Sequence, residues 1–249
     1  MSTPATDQAP DQRAETRSRR HFVLRRLHSL SGVVPVGVFL MVHLWTNARA
    51  VYGRDAFGHA VGEIQSTPML AWVELFAIFL PLAFHAVYGV VIAAQGSANV
   101  GRYAFTRNWM YVLQRVSGVV VLAFVLGHLW EFRVQKWLFG MSASAFYPQL
   151  EAHLAWTAFG VPWIALGYLL GLAASVFHLA NGLVTFCMSW GITVGRAAQR
   201  RAAWLFGLGG LALFGLAVAT VLRLATGTIL LPGLDREPTP ACGTTSPTP

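Results

Sequence analysis

The chain has 249 residues, 55% of them hydrophobic and only 11% charged, with a formal net charge of +8. A soluble domain of this length carries roughly twice that charged fraction, which excludes an ordinary water-soluble fold. What remains is an all-α membrane protein whose apolar runs of about 20 residues cross a bilayer as helices.

In chain order, residues 1–20 are polar and Arg-rich and are expected to form a disordered cytoplasmic N-terminus. Apolar runs follow at 29–47, 69–94, 112–131, 154–190 and 203–225. The fourth is too long for one crossing, so an amphipathic lead-in is expected before it. From residue 231 the chain is rich in Pro and Thr and is expected to be a disordered tail. The expected domain is therefore a five-helix membrane domain over 21–230, its first four helices forming a bundle. An Arg-rich start, an apolar run and Ala48-Arg49-Ala50 also resemble a signal peptide, but the run is long for one and cleavage there would discard His43.

The basic residues report topology. Arg13, Arg17, Arg19, Arg20, Arg25, Arg26, Arg102, Arg107, Arg115, Arg196, Arg200 and Arg201 fall on one side of the five-span arrangement, and the other six of the 18 on the opposite side. By the positive-inside rule the N-terminus is cytoplasmic and the C-terminus outside. The charge thus points to a lipid bilayer and not to nucleic acid.

Only Cys187 and Cys242 are present, with no CxxCH and no four-cysteine set for a cluster. Neither GxGxxG nor GxxxxGK[ST] occurs. The chemistry rests on histidine. Of eight, four (His43, His85, His128 and His178) fall inside spans, one on each of the first four. Ionisable groups in a membrane are expensive and mark function.

These four repeat in two frames. SGVVPVGVFLMVHLW (31–45) matches SGVVVLAFVLGHLW (117–130), and FHAVYG (84–89) matches FHLANG (177–182). Spans one and three run outward with late histidines, so His43 and His128 share the outer level. Spans two and four run inward and place His85 and His178 at the inner level. Two imidazoles per level, from parallel helices, can clamp a flat macrocycle from both faces, which points to two b haems. Gly89 and Gly182, one turn after their histidines, leave a slot for a porphyrin, and Gly32 and Gly118 come near the inner level. Pro81 frees the carbonyl of Ala77 and marks a kink, with Pro35 and Pro162 in similar positions. Zinc fits poorly, since no carboxylate or thiolate accompanies the pairs. A proton-relay transporter would show carboxylates in the spans, where only Glu74 and Glu131 qualify, near the outer ends.

The segments RRLHSLSGVVPVGVF, FLPLAFHAVYGV, RNWMYVLQRVSG, HLWE, FHLANGL and WGIT closely resemble the single-subunit, five-span dihaem cytochrome b anchors of succinate:quinone oxidoreductases, over roughly residues 20–225. The resemblance implies a membrane anchor and electron conduit that takes electrons from an iron–sulfur subunit and passes them through two b haems to quinone, with menaquinone favoured. Flavoprotein and iron–sulfur partners would dock on the cytoplasmic face and carry the succinate chemistry. It implies His85 and His178 as ligands of the proximal haem, and His43 and His128 of the distal one. His28, Ser29, Ser31, Arg26 and Arg115 would serve the proximal haem edge, where donors meet propionates. The acidic quinone residue of the family aligns with Gln65 here, so Glu63 is expected to act in its place. A second family glutamate, two residues before the fourth ligand, is Val176 here, and no proton path is expected by that route. His21, His59 and His153 are assigned nothing. A cytochrome b subunit of another quinone-linked dehydrogenase, such as a hydrogenase or formate dehydrogenase, and a haem-free proton-coupled transporter stand as alternatives.

Overall fold

The computed structural model describes residues 12–228, with side chains from residue 18. The expected disordered stretches at 1–11 and 231–249 lie outside the described residues. The first helix, α1, begins at Gln12, and its membrane-length part is Ser18–Tyr52. Residues 12–20, expected from composition to be disordered, are drawn here as the start of this helix. No Pro or Gly follows Pro10 in that stretch, and extending a helix already nucleated by an apolar segment costs little per residue.

The other long helices are α3 (Leu70–Ala94), α4 (Thr106–Phe139), α6 (Trp163–Ser189) and α7 (Arg196–Thr226), with shorter α2 (Arg54–Gln65) and α5 (Phe146–Ala155) between them. Among the described residues, five helices are long and apolar enough to cross a membrane and no strand forms. Large apolar side chains such as Trp45, Val87, Leu126, Leu170 and Leu205 stand exposed along them, as lipid-facing residues do.

Two prolines shape these helices. Pro35 lies inside a widened π turn at Gly32–Gly37, and Pro81 comes two residues after another at Glu74–Phe79. A proline offers no N–H to the carbonyl four residues back and pushes that turn outward, and one extra residue per turn relieves the clash. Pro162 acts differently. The run read as 154–190 is broken by Phe159 (φ 53°), Gly160 (φ 75°) and Pro162, so the crossing is Trp163–Ser189 and its lead-in is the separate helix α5. Proline just before a first turn starts a helix without losing a bond.

Two compact units partition the chain. Within the described residues, the first takes in residues up to Leu40, Ala71–Val119 and Phe177–Gly210. The second takes in Met41–Leu70, Val120–Val176 and residues from Leu211. In the first, the start of α1 and its π turn pack on α3.

In the second, Ala50, Phe57, Tyr147, Leu150, Leu154, Ala165, Val221 and Leu224 form a buried cluster. Phe57 of α2 meets Tyr147 of α5 edge-on at 5.6 Å. Arg54 lies 3.9 Å from Glu151 and 5.6 Å over the Tyr147 ring. Burial pushes the Tyr147 phenol up and Glu151 adds to this, with Arg223 and Arg54 opposing.

Leu154 is 1% exposed. Leu154→Ala is expected to destabilise this unit by about 2–5 kcal/mol and lower the thermal midpoint in detergent followed by circular dichroism. Leu138→Ala, at a largely exposed position, leaves the midpoint in place.

Candidate functional site

In the first unit, His85 of α3 and His178 of α6 approach with ring centroids 6.2 Å apart and planes at 89°. Each ring is held from behind by a main-chain carbonyl. His85 Nδ1 donates to the His28 carbonyl at 3.0 Å, and His178 Nδ1 donates to the Gln114 carbonyl at 3.1 Å. A carbonyl only accepts, so the proton sits on Nδ1 in both rings and the Nε2 lone pair is left to coordinate. Two imidazoles sharing one iron need about 2.0 Å per metal–nitrogen bond and roughly 1.1 Å from nitrogen to ring centre, about 6 Å in all. The observed separation fits.

The same carbonyls are tied into their surroundings. The His28 carbonyl also accepts from Ser31 Oγ at 3.0 Å. The Ser117 hydroxyl donates to the Gln114 carbonyl at 3.1 Å and lies 3.2 Å from His178 Nδ1. Gln114 Nε2 donates to the His178 carbonyl at 3.1 Å, and Asn181 Nδ2 donates to Gln114 Oε1 at 2.7 Å. Helices α4 and α6 are thereby locked in register around His178.

The repeat glycines face these rings. A Cβ on Gly32 would collide with the His85 imidazole, and one on Gly118 would stand 3.0 Å from His178 Cε1. Within each half of the repeat the Ser-Gly frame therefore packs on the Phe-His frame that follows it. Gly89 faces His28, whose ring stacks on His85 at 4.1 Å and 7°. At Gly182 the nearest group to a Cβ would be Gln114 Nε2 at 3.6 Å, an ordinary contact.

His28 Nδ1 and Arg115 Nε are buried without a hydrogen-bond partner. The Arg115 guanidinium lies 3.3 Å over the Tyr111 ring. Arg26 sits between Phe22 and Trp190, at 5.1 and 4.9 Å from their centroids. Ser29 is half-buried.

In the second unit, His43 of α1 and His128 of α4 lie 5.6 Å apart at 78°. Asn47 Nδ2 donates to the His43 carbonyl at 2.8 Å and sits 3.4 Å from both nitrogens of the ring. His128 Nδ1 is 3.4 Å from Tyr168 Oη, and that hydroxyl donates to Glu131 Oε2 at 2.5 Å. With its hydrogen committed to the carboxylate, the hydroxyl accepts from His128 Nδ1–H, so Nε2 again carries the free lone pair. Glu131 Oε1 pairs with His153 Nδ1, and the Glu131 carbonyl accepts from Gln149 Nε2 at 3.1 Å.

Glu63 lies elsewhere. Its side chain is 70% exposed and sits 3.5 Å from His59 on the same helix. Gln65 Oε1 accepts from Lys136 Nζ. Sequence reasoning left out Tyr168, His153 and Gln114. The one available signal was Glu131, a single turn after His128 in HLWE and so on the same helix face.

The chain is 44% identical over 182 residues to the succinate dehydrogenase cytochrome b558 subunit of Bacillus subtilis (strain 168), covering 73% of this chain and 86% of that one. This chain belongs to the succinate dehydrogenase cytochrome b558 family. No family model matches it, and no solved structure does. Membership makes it the membrane-anchor subunit of a succinate dehydrogenase, a multipass membrane protein, in line with the five long apolar helices. The other quinone-linked dehydrogenases and the transporter are thereby set aside.

Proposed function

We propose that this anchor holds two b haems, one between His85 and His178 and one between His43 and His128, and carries electrons from an iron–sulfur partner to a quinone, with menaquinone preferred. The observation that carries the reading is the pairing itself. Two imidazole pairs stand at 6.2 and 5.6 Å, and His85, His178 and His128 each direct Nδ1–H to an oxygen acceptor. When bound, haem supplies reversible one-electron chemistry.

The chain's own residues hold and tune. Nδ1–H bonds to carbonyls fix the tautomer, orient the ring and raise the basicity of Nε2. The partnerless buried nitrogens of His28 and Arg115 suit the carboxylates of propionates, which would satisfy both. Arg26, Ser29 and Ser31 lie on the same end of α1 and complete that polar edge. Gly32, Gly89 and Gly118 let the rings and helices come close, whereas a Cβ at Gly182 would make only an ordinary contact with Gln114. The residue at 176 is a buried valine, which offers no carboxylate for a proton path there.

In this reading the arginine-rich ends at 19–26, 102–115 and 196–201 face the cytoplasm of a bacterial cell, N-terminus in and C-terminus out. Flavoprotein and iron–sulfur subunits dock there and oxidise succinate. Quinone is reduced beside the His43–His128 pair, near the α2 segment that carries Glu63 and Gln65.

The test is pyridine haemochrome quantitation with reduced-minus-oxidised spectra on the purified complex. About two protohaems per chain, together with co-purifying flavin and iron–sulfur subunits, is the expected result. A complex without haem would overturn the electron-transfer reading and return the histidines to a proton relay.

A further inference from the structure

The carboxylate that the structure ties to the His43–His128 pair is Glu131, not Glu63. Glu131 lies on a membrane-length apolar helix with its side chain 15% exposed. A carboxylate in such a place is costly, so its partners and its reach need a reason. One oxygen accepts from Tyr168 Oη at 2.5 Å, and Tyr168 in turn lies 3.4 Å from His128 Nδ1. The other oxygen pairs with His153, whose side chain is 45% exposed. The set therefore runs from an accessible imidazole, through one shielded carboxylate, to a hydroxyl that touches His128.

We propose that Glu131 and His153 form the proton entry for quinone reduction beside the His43–His128 pair, with Tyr168 as the positioning residue that holds the carboxylate. This rests on the quinone-reducing reading above. Reduction of a quinone to a quinol takes two electrons and two protons. The electrons come from succinate through the partner subunits, and O–H bonds form at the two quinone oxygens. Each proton leaves the Glu131 carboxyl. His153 restores it by handing over its Nδ1–H while taking a proton from solvent at Nε2; the imidazole ends as the neutral Nε2–H tautomer and returns to Nδ1–H by proton exchange with water before the next transfer. Glu63, by contrast, is largely exposed beside His59 on its own helix. A bland role is available to the same bonds, since they tie α5 and α6 to α4, and the test is chosen to separate the two.

The experiment uses the whole complex, with a short-chain menaquinone analogue and, separately, a soluble dye that accepts electrons ahead of this subunit. Glu131→Gln is expected to lower kcat for the quinone about 10²-fold, the usual contribution of a positioned acid–base group. Its KM moves little, dye-linked succinate oxidation is unchanged and two haems are retained. Glu131→Asp recovers part of the rate. His153→Gln falls less, and imidazole added to the buffer restores it, which a structural tie would not allow.

Unaltered quinone turnover in Glu131→Gln overturns the proposal, as does a fall produced by Glu63→Gln alone. If Glu131→Gln loses haem, the decision passes to His153→Gln. Failure of added imidazole to restore that variant then overturns the proposal in favour of the structural role. A wild-type complex that lacks haem or does not reduce quinone would instead overturn the underlying function, so the two failures are distinguishable.

Discussion

His85→Ala is expected to take the haem content of the complex from two per chain to one, and His178→Ala to remove the same haem. The two rings stand 6.2 Å apart with their planes at 89°, and each is aimed by an Nδ1–H bond to a fixed carbonyl. A haem held by this pair would lose one of its two protein ligands on removal of either imidazole, and with it the bis-imidazole ligation the pair would supply. The double variant should be no worse than either single one, because the pair acts as a unit and the second deletion finds nothing left to break. His43→Ala and His128→Ala should remove the other haem. The checks are haem stoichiometry and low-temperature reduced spectra of the four single variants and the His85/His178 double. Succinate-to-quinone turnover should collapse in all of them, while dye-linked succinate oxidation persists wherever the complex assembles. A His85/His43 double variant that retains one whole spectral component would mean that the pairs are crossed.

Much of this arrangement is legible in the chain because membrane helices announce themselves. An apolar run fixes a span, and alternating direction fixes the level of each histidine, so the two repeated frames suffice to pair His43 with His128 and His85 with His178. What the runs conceal is rotation about each helix axis. Tyr168 and His153 lie 37 and 22 residues from Glu131, on different helices, and nothing in composition says that they turn toward it. The same holds for Gln114, whose carbonyl aims His178 across 64 residues of sequence. Backbone effects were half visible. Pro35 and Pro81 marked distortion, but Pro162 ended a loop instead of bending a helix, because Phe159 and Gly160 had already left helical geometry. Glu63 is a position where resemblance and surroundings speak to different things. The family's position predicted an acid near α2, whereas the side chain's own surroundings are solvent and His59.

Gly32→Ala is expected to be as damaging as loss of a ligand, although it adds a single methyl group. A Cβ at Gly32 would sit inside the contact distance of the His85 ring. The ring has little room to yield, since His28 stacks on one face at 4.1 Å and Nδ1 is held by the His28 carbonyl at 3.0 Å. Either the imidazole swings off the iron axis or the π turn at Gly32–Gly37 shifts, carrying α1 away from α3. Both lead to loss of the haem between His85 and His178, with the His43–His128 haem retained. Gly118→Ala, with its Cβ 3.0 Å from His178 Cε1, needs a displacement of only a few tenths of an ångström and should weaken that haem without abolishing it. Gly207→Ala is the reference. It lies in the interior of α7 with open space around the new methyl, so both haems stay and the helix gains about 1 kcal/mol of propensity. Haem content and thermal midpoint, measured together on the three variants, decide the matter. If Gly32→Ala keeps two haems and gains stability as Gly207→Ala does, then Gly32 does not face His85, and the packing of one repeat frame on the other must be abandoned.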